Sequence, residues 1–331
     1  MPPRGAHAEE AGVSAEPPPD ALRSWLFVPG DSERKQARAL GTEADALILD
    51  LEDSVDPAQL PAARVRVREL LRAQPAGSAP QLWVRINPPH GSWREDLAAL
   101  FGAGAQRGAD AGRPGPDGIV LPKVSTPAEI IEVADQLTTL ETERGMSRGT
   151  TGLLVIATET PRGMLSLPQY PAALGAARAA AVRLAGLTWG AEDLGAALGA
   201  TAKHDPSGAL TFTFALARTT CLLAAAALGV RAIDGVHVDF RDAAGLGRAL
   251  AEARRDGFSG KLAIHPDQVA PINAAFTPSE EERQHARRVV AAFAAAGGAG
   301  VASLDGQMID RPHLLAARRV LGSSTGRNHR K

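Results

Sequence analysis

Eight short apolar runs punctuate this chain, none alternating as a half-exposed strand would. They cover Ser24–Pro29, Ala46–Leu51, Leu82–Asn87, Gly118–Lys123, Gly152–Glu159, Arg183–Gly190, Ala232–Val238 and Lys261–His265. Runs of this length, rich in Val, Leu and Ile, read as strands buried on both faces of a parallel sheet. Between them, apolar positions recur at helical spacing over Ser32–Leu40, Ala58–Ala73, Pro127–Glu143, Leu210–Leu228 and Ala243–Asp256. Thr126 before Pro127, with Glu129 three residues after Thr126, is a capping-box start. Gly229 is placed to end the long apolar helix.

Eight β-α units in sequence predict an α/β fold, a closed (β/α)8 TIM barrel with a C-terminal helical extension. The competing open sheet with an appended domain needs a glycine-rich turn after its first strand, where Phe27-Val28-Pro29-Gly30-Asp31-Ser32 stands instead. After His265 a polar helix is expected from Ser279 to Ala296, then a glycine break at Gly297-Gly298, then a short helix after Asp310. The organisation expected is a disordered extension over 1–22, a barrel over 23–275, a lid or subunit-contact segment over 276–321 and a flexible tail over 322–331.

The strand ends carry the chemistry. In such barrels the reacting groups stand where strands run into βα loops. Here those ends read Asp50-Leu51-Glu52-Asp53, Arg85-Ile86-Asn87, Lys123, Glu159, Glu192-Asp193 and His265. A lone basic residue at a strand end also suits a solvated rim. The Asp50–Asp53 acids also suit capping of a helix starting at Asp56-Pro57. Six strands contributing to one ring is what favours a site. Glu159 and Asp193 are hard oxygen donors suited to Mg2+, which takes one or two carboxylates plus substrate oxygens and water. Zinc is disfavoured, because no His/Cys group has its spacing. Arg85 offers a planar fork to a carboxylate or to an oxygen gaining charge. A magnesium ion and an arginine facing one small cavity suit chemistry through an enolate.

Composition narrows the partners. The net charge of −1 gives no basic field for nucleic acid or an anionic membrane, and 4% aromatics leave little for stacking bases. Cys221 is the only cysteine, so no intramolecular disulfide forms. The longest apolar stretch, Cys221–Val230, is too short to span a bilayer, and the first 22 residues carry no apolar signal core. A cytoplasmic protein is expected.

Eight motifs then appear in order: Arg23-Ser24-Trp25-Leu26-Phe27-Val28-Pro29-Gly30, Asp50-Leu51-Glu52-Asp53-Ser54-Val55, Val84-Arg85-Ile86-Asn87 and Leu121-Pro122-Lys123, followed by Glu159-Thr160-Pro161, Gly190-Ala191-Glu192-Asp193-Leu194, Ala263-Ile264-His265-Pro266-Asp267-Gln268 and Asp305-Gly306-Gln307-Met308-Ile309-Asp310. The series resembles the citrate lyase β-subunit-like (CitE-like) branch of the HpcH/HpaI aldolase superfamily over about residues 23–321.

The resemblance implies a Mg2+-dependent lyase, with Mn2+ as a substitute, acting on CoA thioesters. It would cleave or form a carbon–carbon bond in a 3-hydroxyacyl-CoA such as malyl-CoA or citramalyl-CoA, with acetyl-CoA or another acyl-CoA and glyoxylate or pyruvate on the other side. A malyl-CoA thioesterase and the β-subunit of a multi-chain citrate lyase-type complex are the alternatives. Glu159 and Asp193 become the metal ligands, and Glu52 and Asp53 hold metal-bound water. Arg85 holds the oxoacid or enolate oxygen. Arg23 and Lys123 line the mouth, Pro29 is a further substrate or CoA contact, and the loop His265-Pro266-Asp267-Gln268 lies along coenzyme A, with His265, Pro266 and Gln268 as its contacts. Asp310 becomes the catalytic acid/base, on a segment that closes over a neighbouring site in a homotrimer or hexamer. As an alternative, Asp310 caps the helix beginning Arg311-Pro312.

Overall fold

A computed structural model describes residues 22–102, 113–297 and 300–322. Met1–Ala21, all but the last residue of the 1–22 extension expected to be disordered, and the tail from Ser323 lie outside the described residues; Leu22 is buried in the barrel's inner cluster. The chain divides into two compact units, one over Leu22–Phe276 and one beginning at Thr277.

In the first unit the strands are β1 (Ser24–Pro29), β2 (Ala46–Asp50), β3 (Gln81–Arg85), β4 (Gly118–Leu121), β5 (Gly152–Ile156), β6 (Leu184–Thr188), β7 (Arg231–Asp234) and β8 (Gly260–Ala263). All pair in parallel and in sequence order, and β8 returns to β1 to close the barrel. Helices α1 (Glu33–Leu40), α2 (Leu60–Ala73), α3 (Trp93–Phe101) and α4 (Pro127–Glu143) follow the first four strands. Three short helices follow β5: α5 (Pro161–Ser166), α6 (Tyr170–Ala176) and α7 (Arg178–Ala181). Then come α8 (Ala191–Leu198) and α9 (Phe212–Leu228) after β6, α10 (Ala243–Asp256) after β7, and α11 (Val269–Phe276) after β8.

Two apolar layers explain why every strand lacks alternation. Trp25, Ala46, Ile48, Trp83, Val120, Leu154, Ile156, Ile233 and Leu262 form one cluster, with the Trp25 and Trp83 rings edge to face at 4.9 Å. The intervening residues, such as Leu47, Leu49, Val84 and Leu153, pack with Val67 and Leu71 of α2 and Leu137 of α4. Full burial of one such side chain contributes about 1.5–3 kcal/mol. These layers carry the barrel's stability.

The strands stop short of the apolar runs. β4 ends at Leu121 rather than Lys123, and β5 at Ile156 rather than Glu159. Lys123 takes φ +51, which turns the backbone out of the sheet. The helix expected from Ala58 begins instead as a 3-10 turn over Pro57–Gln59, capped by Asp56 Oδ1 accepting from Ala58 N at 2.8 Å. At α4, Glu129 accepts from Ser125 N and Thr126 N at 2.7 and 3.2 Å, and Gly229 ends α9 at φ +69.

The second unit holds α12 (Glu280–Ala295), β9 (Val301–Leu304), β10 (Gln307–Asp310) and α13 (Arg311–Gly322). Its core joins Ala286, Val289, Phe293, Ile309 and Ala317. Helices alone were expected here; an antiparallel hairpin stands between them. Asp305 and Gly306, both at positive φ, make its two-residue turn, the pair of conformations that Asp-Gly favours.

Candidate active site

The site lies at the C-terminal ends of β2 to β6. Asp50 and Arg85 end adjacent strands and stand opposite one another in register. Arg85 Nε donates to Asp50 Oδ1 and Arg85 Nη2 to Oδ2, each at 2.7 Å. Asp50 also accepts from Glu52 N at 3.0 Å and Ser54 N at 3.1 Å, which folds the β2 loop back over it. The guanidinium lies 4.8 Å above the Phe27 ring, and its Nη1 sits 2.9 Å from Glu52 Oε2 and 3.6 Å from Asp53 Oδ2.

Lys123 gathers the other carboxylates. Its backbone N donates to Glu159 Oε2 at 2.5 Å. Its Nζ reaches Glu52 Oε1 at 2.5 Å, Asp53 Oδ1 at 2.7 Å and Asp193 Oδ1 at 3.4 Å. A left-handed backbone at a non-glycine residue is strained, and such strain concentrates at working sites. Asp193 stands in the first turn of α8, where the helix dipole favours a carboxylate. A Cβ on Gly190 would lie 2.6 Å from Glu159 Cγ, so the glycine leaves the space this carboxylate fills.

Two cations face five carboxylates here. Burial pushes the Glu159 carboxyl up to about 8; the Lys123 N–H lowers it, but Asp193 pushes it further up. Burial also lifts Glu52 to about 7 against the pull of Arg85 and Lys123. Burial alone would raise Asp50, but hydrogen bonding to Arg85 holds it below the usual carboxylate range. For Arg85 and Lys123, burial opposes the charge and the neighbouring carboxylates outweigh it, so both rise above their ordinary values.

The donor chemistry fits a divalent hard cation. All donors are carboxylate oxygens, and five carboxylates face the two cations Arg85 and Lys123, a set with negative charge to spare for a divalent ion. Among the described residues no group of three or more His, Cys, Asp or Glu is placed to hold a metal by itself. A pair, Glu159 and Asp193, is what Mg2+ uses when water and substrate oxygens complete its octahedron.

The structure thus brings Glu52, Asp53, Arg85, Lys123, Glu159 and Asp193 together. Pro29 stands at the same end, beside Asp50 across the β1–β2 pairing. His265 and Pro266 follow β8 on that rim, where Pro266 opens a 3-10 turn. Two expectations are corrected. Arg23 does not line the mouth: it precedes β1 at the opposite end of the barrel and pairs with Asp45 at 2.8 Å. Gln268 does not offer its side chain to a ligand: it is buried, accepts from Ile264 N at 2.9 Å and donates to His237 O at 2.8 Å. Asp310 belongs to the second unit, where its Oδ1 lies 2.6 Å from His313 Nδ1. Three contributors were not singled out from sequence: Asp50 as the partner of Arg85, Phe27 beneath it, and Gly190.

Fold and site together define a carbon–carbon bond lyase of the TIM-barrel fold, and residues 217–325 match the family described as C-C bond lyase of that fold. Residues 23–266 match HpcH/HpaI aldolase/citrate lyase, and the chain belongs to that family. It is 36% identical over 307 residues to a (3S)-malyl-CoA thioesterase of Cereibacter sphaeroides, covering 92% of this chain and 94% of the relative. A citrate lyase subunit beta-like protein of Mycobacterium tuberculosis is 34% identical, over 90% of this chain and 93% of its own. Among solved structures, CitE of M. tuberculosis in complex with magnesium, acetoacetate and coenzyme A superposes with a TM-score of 0.67. It is 33% identical and covers 92% of this chain and 98% of that one. No helix among the described residues is long and apolar enough to cross a membrane.

Proposed function

We propose that this chain is a Mg2+-dependent lyase of 3-hydroxyacyl-CoA thioesters, splitting a malyl-CoA- or citramalyl-CoA-like substrate into an acyl-CoA and glyoxylate or pyruvate, and reversing the reaction. The observation that carries the reading is the meeting of Arg85, locked on Asp50, with the Glu159–Asp193 carboxylate pair at one barrel end. The relatives add the substrate class: one acts on malyl-CoA by its name, and one binds magnesium and coenzyme A in its crystal.

Glu159 and Asp193 would hold Mg2+, which supplies Lewis-acid polarisation of the oxoacid oxygens. Asp50 occupies two donors of Arg85 and fixes its plane. The guanidinium then faces the oxygen that gains charge as the bond breaks, an effect worth several kcal/mol in a water-excluded site. Cleavage removes the hydroxyl proton, breaks the carbon–carbon bond and leaves the electron pair on the carbon next to the thioester. Asp310 delivers the proton that this carbon needs, and in synthesis it removes that proton. Hydrogen bonding to His313 holds the Asp310 carboxyl below its ordinary range, so it starts ionised. It is ready to take the proton in synthesis, and in cleavage it delivers to carbon the proton released from the substrate hydroxyl once that proton has been passed to it.

The same reading takes the chain as a cytoplasmic homo-oligomer, trimer or hexamer, with Asp310 serving a neighbouring copy. Exposed Phe212, Leu216 and Leu223 along α9 support it, since an exposed apolar row marks a surface that associates. Purified protein stripped with a chelator, then assayed with and without Mg2+ on a panel of 3-hydroxyacyl-CoA esters, tests the reading. One ester should yield oxoacid only with the metal restored. No oxoacid from any ester would sink it.

A further inference from the structure

We infer that Thr158 is a positioning residue that fixes the separation of Glu159 and Asp193, and through it the preference of the site for a small divalent cation. This inference rests on the reading of those two carboxylates as the Mg2+ ligands.

The two carboxylates stand on different elements. Glu159 follows β5, and Asp193 lies in the first turn of α8, three residues after Gly190. Their spacing therefore depends on how the end of β5 is joined to the start of α8. Ala157 N donates to Thr188 O at 2.9 Å, which carries the β5–β6 ladder one residue past β5. At the next step Gly190 N donates to the Thr158 hydroxyl at 3.1 Å, where a ladder would use a carbonyl. Thr158 is wholly buried. Gly190 is the residue before α8, and that helix has no side-chain cap of its own. The hydroxyl of Thr158 thus holds the N-terminus that carries Asp193.

The supports on either side are braced. Thr160 Oγ1 donates to Val124 O at 3.1 Å and accepts from Gly163 N at 2.9 Å, while Glu159 itself accepts from Lys123 N. Beside Gly190, the Trp189 indole donates to Asp234 Oδ1 at 2.8 Å. Asp234 is held in turn by Arg218 and Lys261, at 3.0 and 2.6 Å. A Cβ on Gly235 would lie 3.0 Å from Trp189 O, so the end of β7 backs directly onto the turn. Each ligand rests on a fixed support, and one hydroxyl joins the two. Mg2+ demands near-ideal octahedral geometry with oxygens at about 2.0–2.1 Å, whereas Ca2+ accepts irregular shells at about 2.3–2.6 Å. A fixed gap suits the first ion, and a gap free to widen suits the second. Without the Thr158 oxygen, Gly190 N–H loses its acceptor and the turn must shift to find another.

The test is T158V, which keeps the shape of the side chain and removes the acceptor, with T158S as the rescue. Calorimetry on the chelator-stripped full chain reads Kd for Mg2+ and for Ca2+. With T158V the Mg2+ Kd should rise about 10–100-fold, the usual cost of loosening a ligand's support. The Ca2+ Kd should rise less, so that the Ca2+/Mg2+ ratio of Kd falls about tenfold. T158S should restore the ratio. Equal weakening of both ions, an unchanged ratio, or a serine variant that restores nothing would overturn the inference and leave Thr158 a packing residue. Should T158V not fold, T158A is read the same way. E159Q and D193N separate the two readings. If both weaken Mg2+ binding and T158V does not, the metal pair stands and Thr158 alone falls. If neither weakens it, or if the wild-type chain binds neither ion, the metal pair falls and Thr158 with it.

Discussion

Arg85 spends both its Nε and an Nη2 hydrogen on the two oxygens of Asp50, 2.7 Å each, from the next strand of the barrel. The pair is nearly closed to solvent. Such a fork fixes the plane of the guanidinium as well as its position, and a positioned charge is what an enolate-forming reaction needs.

Asp50→Asn should therefore disable Arg85 without touching it. Breaking a buried pair from one side costs about 3–5 kcal/mol, and misplacing the charge costs about 10²-fold in turnover. Thermal melts and steady-state kinetics read the two effects separately. Wild-type turnover in a variant that still folds would show that Asp50 does not position Arg85.

Gly190→Ala tests the space kept for Glu159. Gly190 has φ −121, which any residue adopts, so the added methyl acts only through its 2.6 Å approach to Glu159 Cγ. We expect Mg2+ affinity to weaken by about 10–100-fold, the usual cost of disturbing a ligand's support. Calorimetric titration of Mg2+ checks it; unchanged affinity would show that Glu159 needs no such room.

Stability of the metal-free chain should depend on pH with a definite sign. Glu159 and Glu52 rise to about 8 and about 7 from the ordinary 4.5. In that window the folded chain keeps protons that the unfolded chain has released. The stabilisation is complete below pH 4.5 and is lost as pH climbs through 7 to 8. Chelated protein should melt lower at pH 8.5 than at pH 5, with Mg2+ raising Tm far more at pH 8.5, and Glu159→Gln should flatten the slope. An equal Mg2+ effect at both values would contradict the site.

Asp310→Asn should keep the fold and bind Mg2+ as the wild type does, yet lose turnover by about 10²–10⁴-fold, the range of a general acid or base. Circular dichroism, Mg2+ calorimetry and kinetics together check it. A near-wild-type rate would leave Asp310 with its capping role alone.

Much of this was legible in the chain. Glu159 and Asp193 stood out because buried runs that end on acid are costly without a partner or metal. The barrel followed from counting such runs. Arg23 misled because it opens a motif; its place before a strand already put it at the far end from the βα loops. Asp50 as the partner of Arg85 was not legible, although in the structure Ala46 and Ile48 line the interior and a period of two carries the next position to residue 50. Runs buried on both faces hide that period. The hairpin of the second unit was written in Asp305-Gly306, but four-residue strands between helices give little pattern to read.

One measurement bears most directly on the central claim: incubation with Mg2+ and malyl-CoA, with glyoxylate, acetyl-CoA, malate and free thiol quantified together. Lyase chemistry at Arg85 and the Glu159–Asp193 pair predicts glyoxylate and acetyl-CoA in equal amounts, with no free thiol. Malate and free thiol in equal amounts, without glyoxylate, would mean that the same site directs water to the thioester and breaks no carbon–carbon bond.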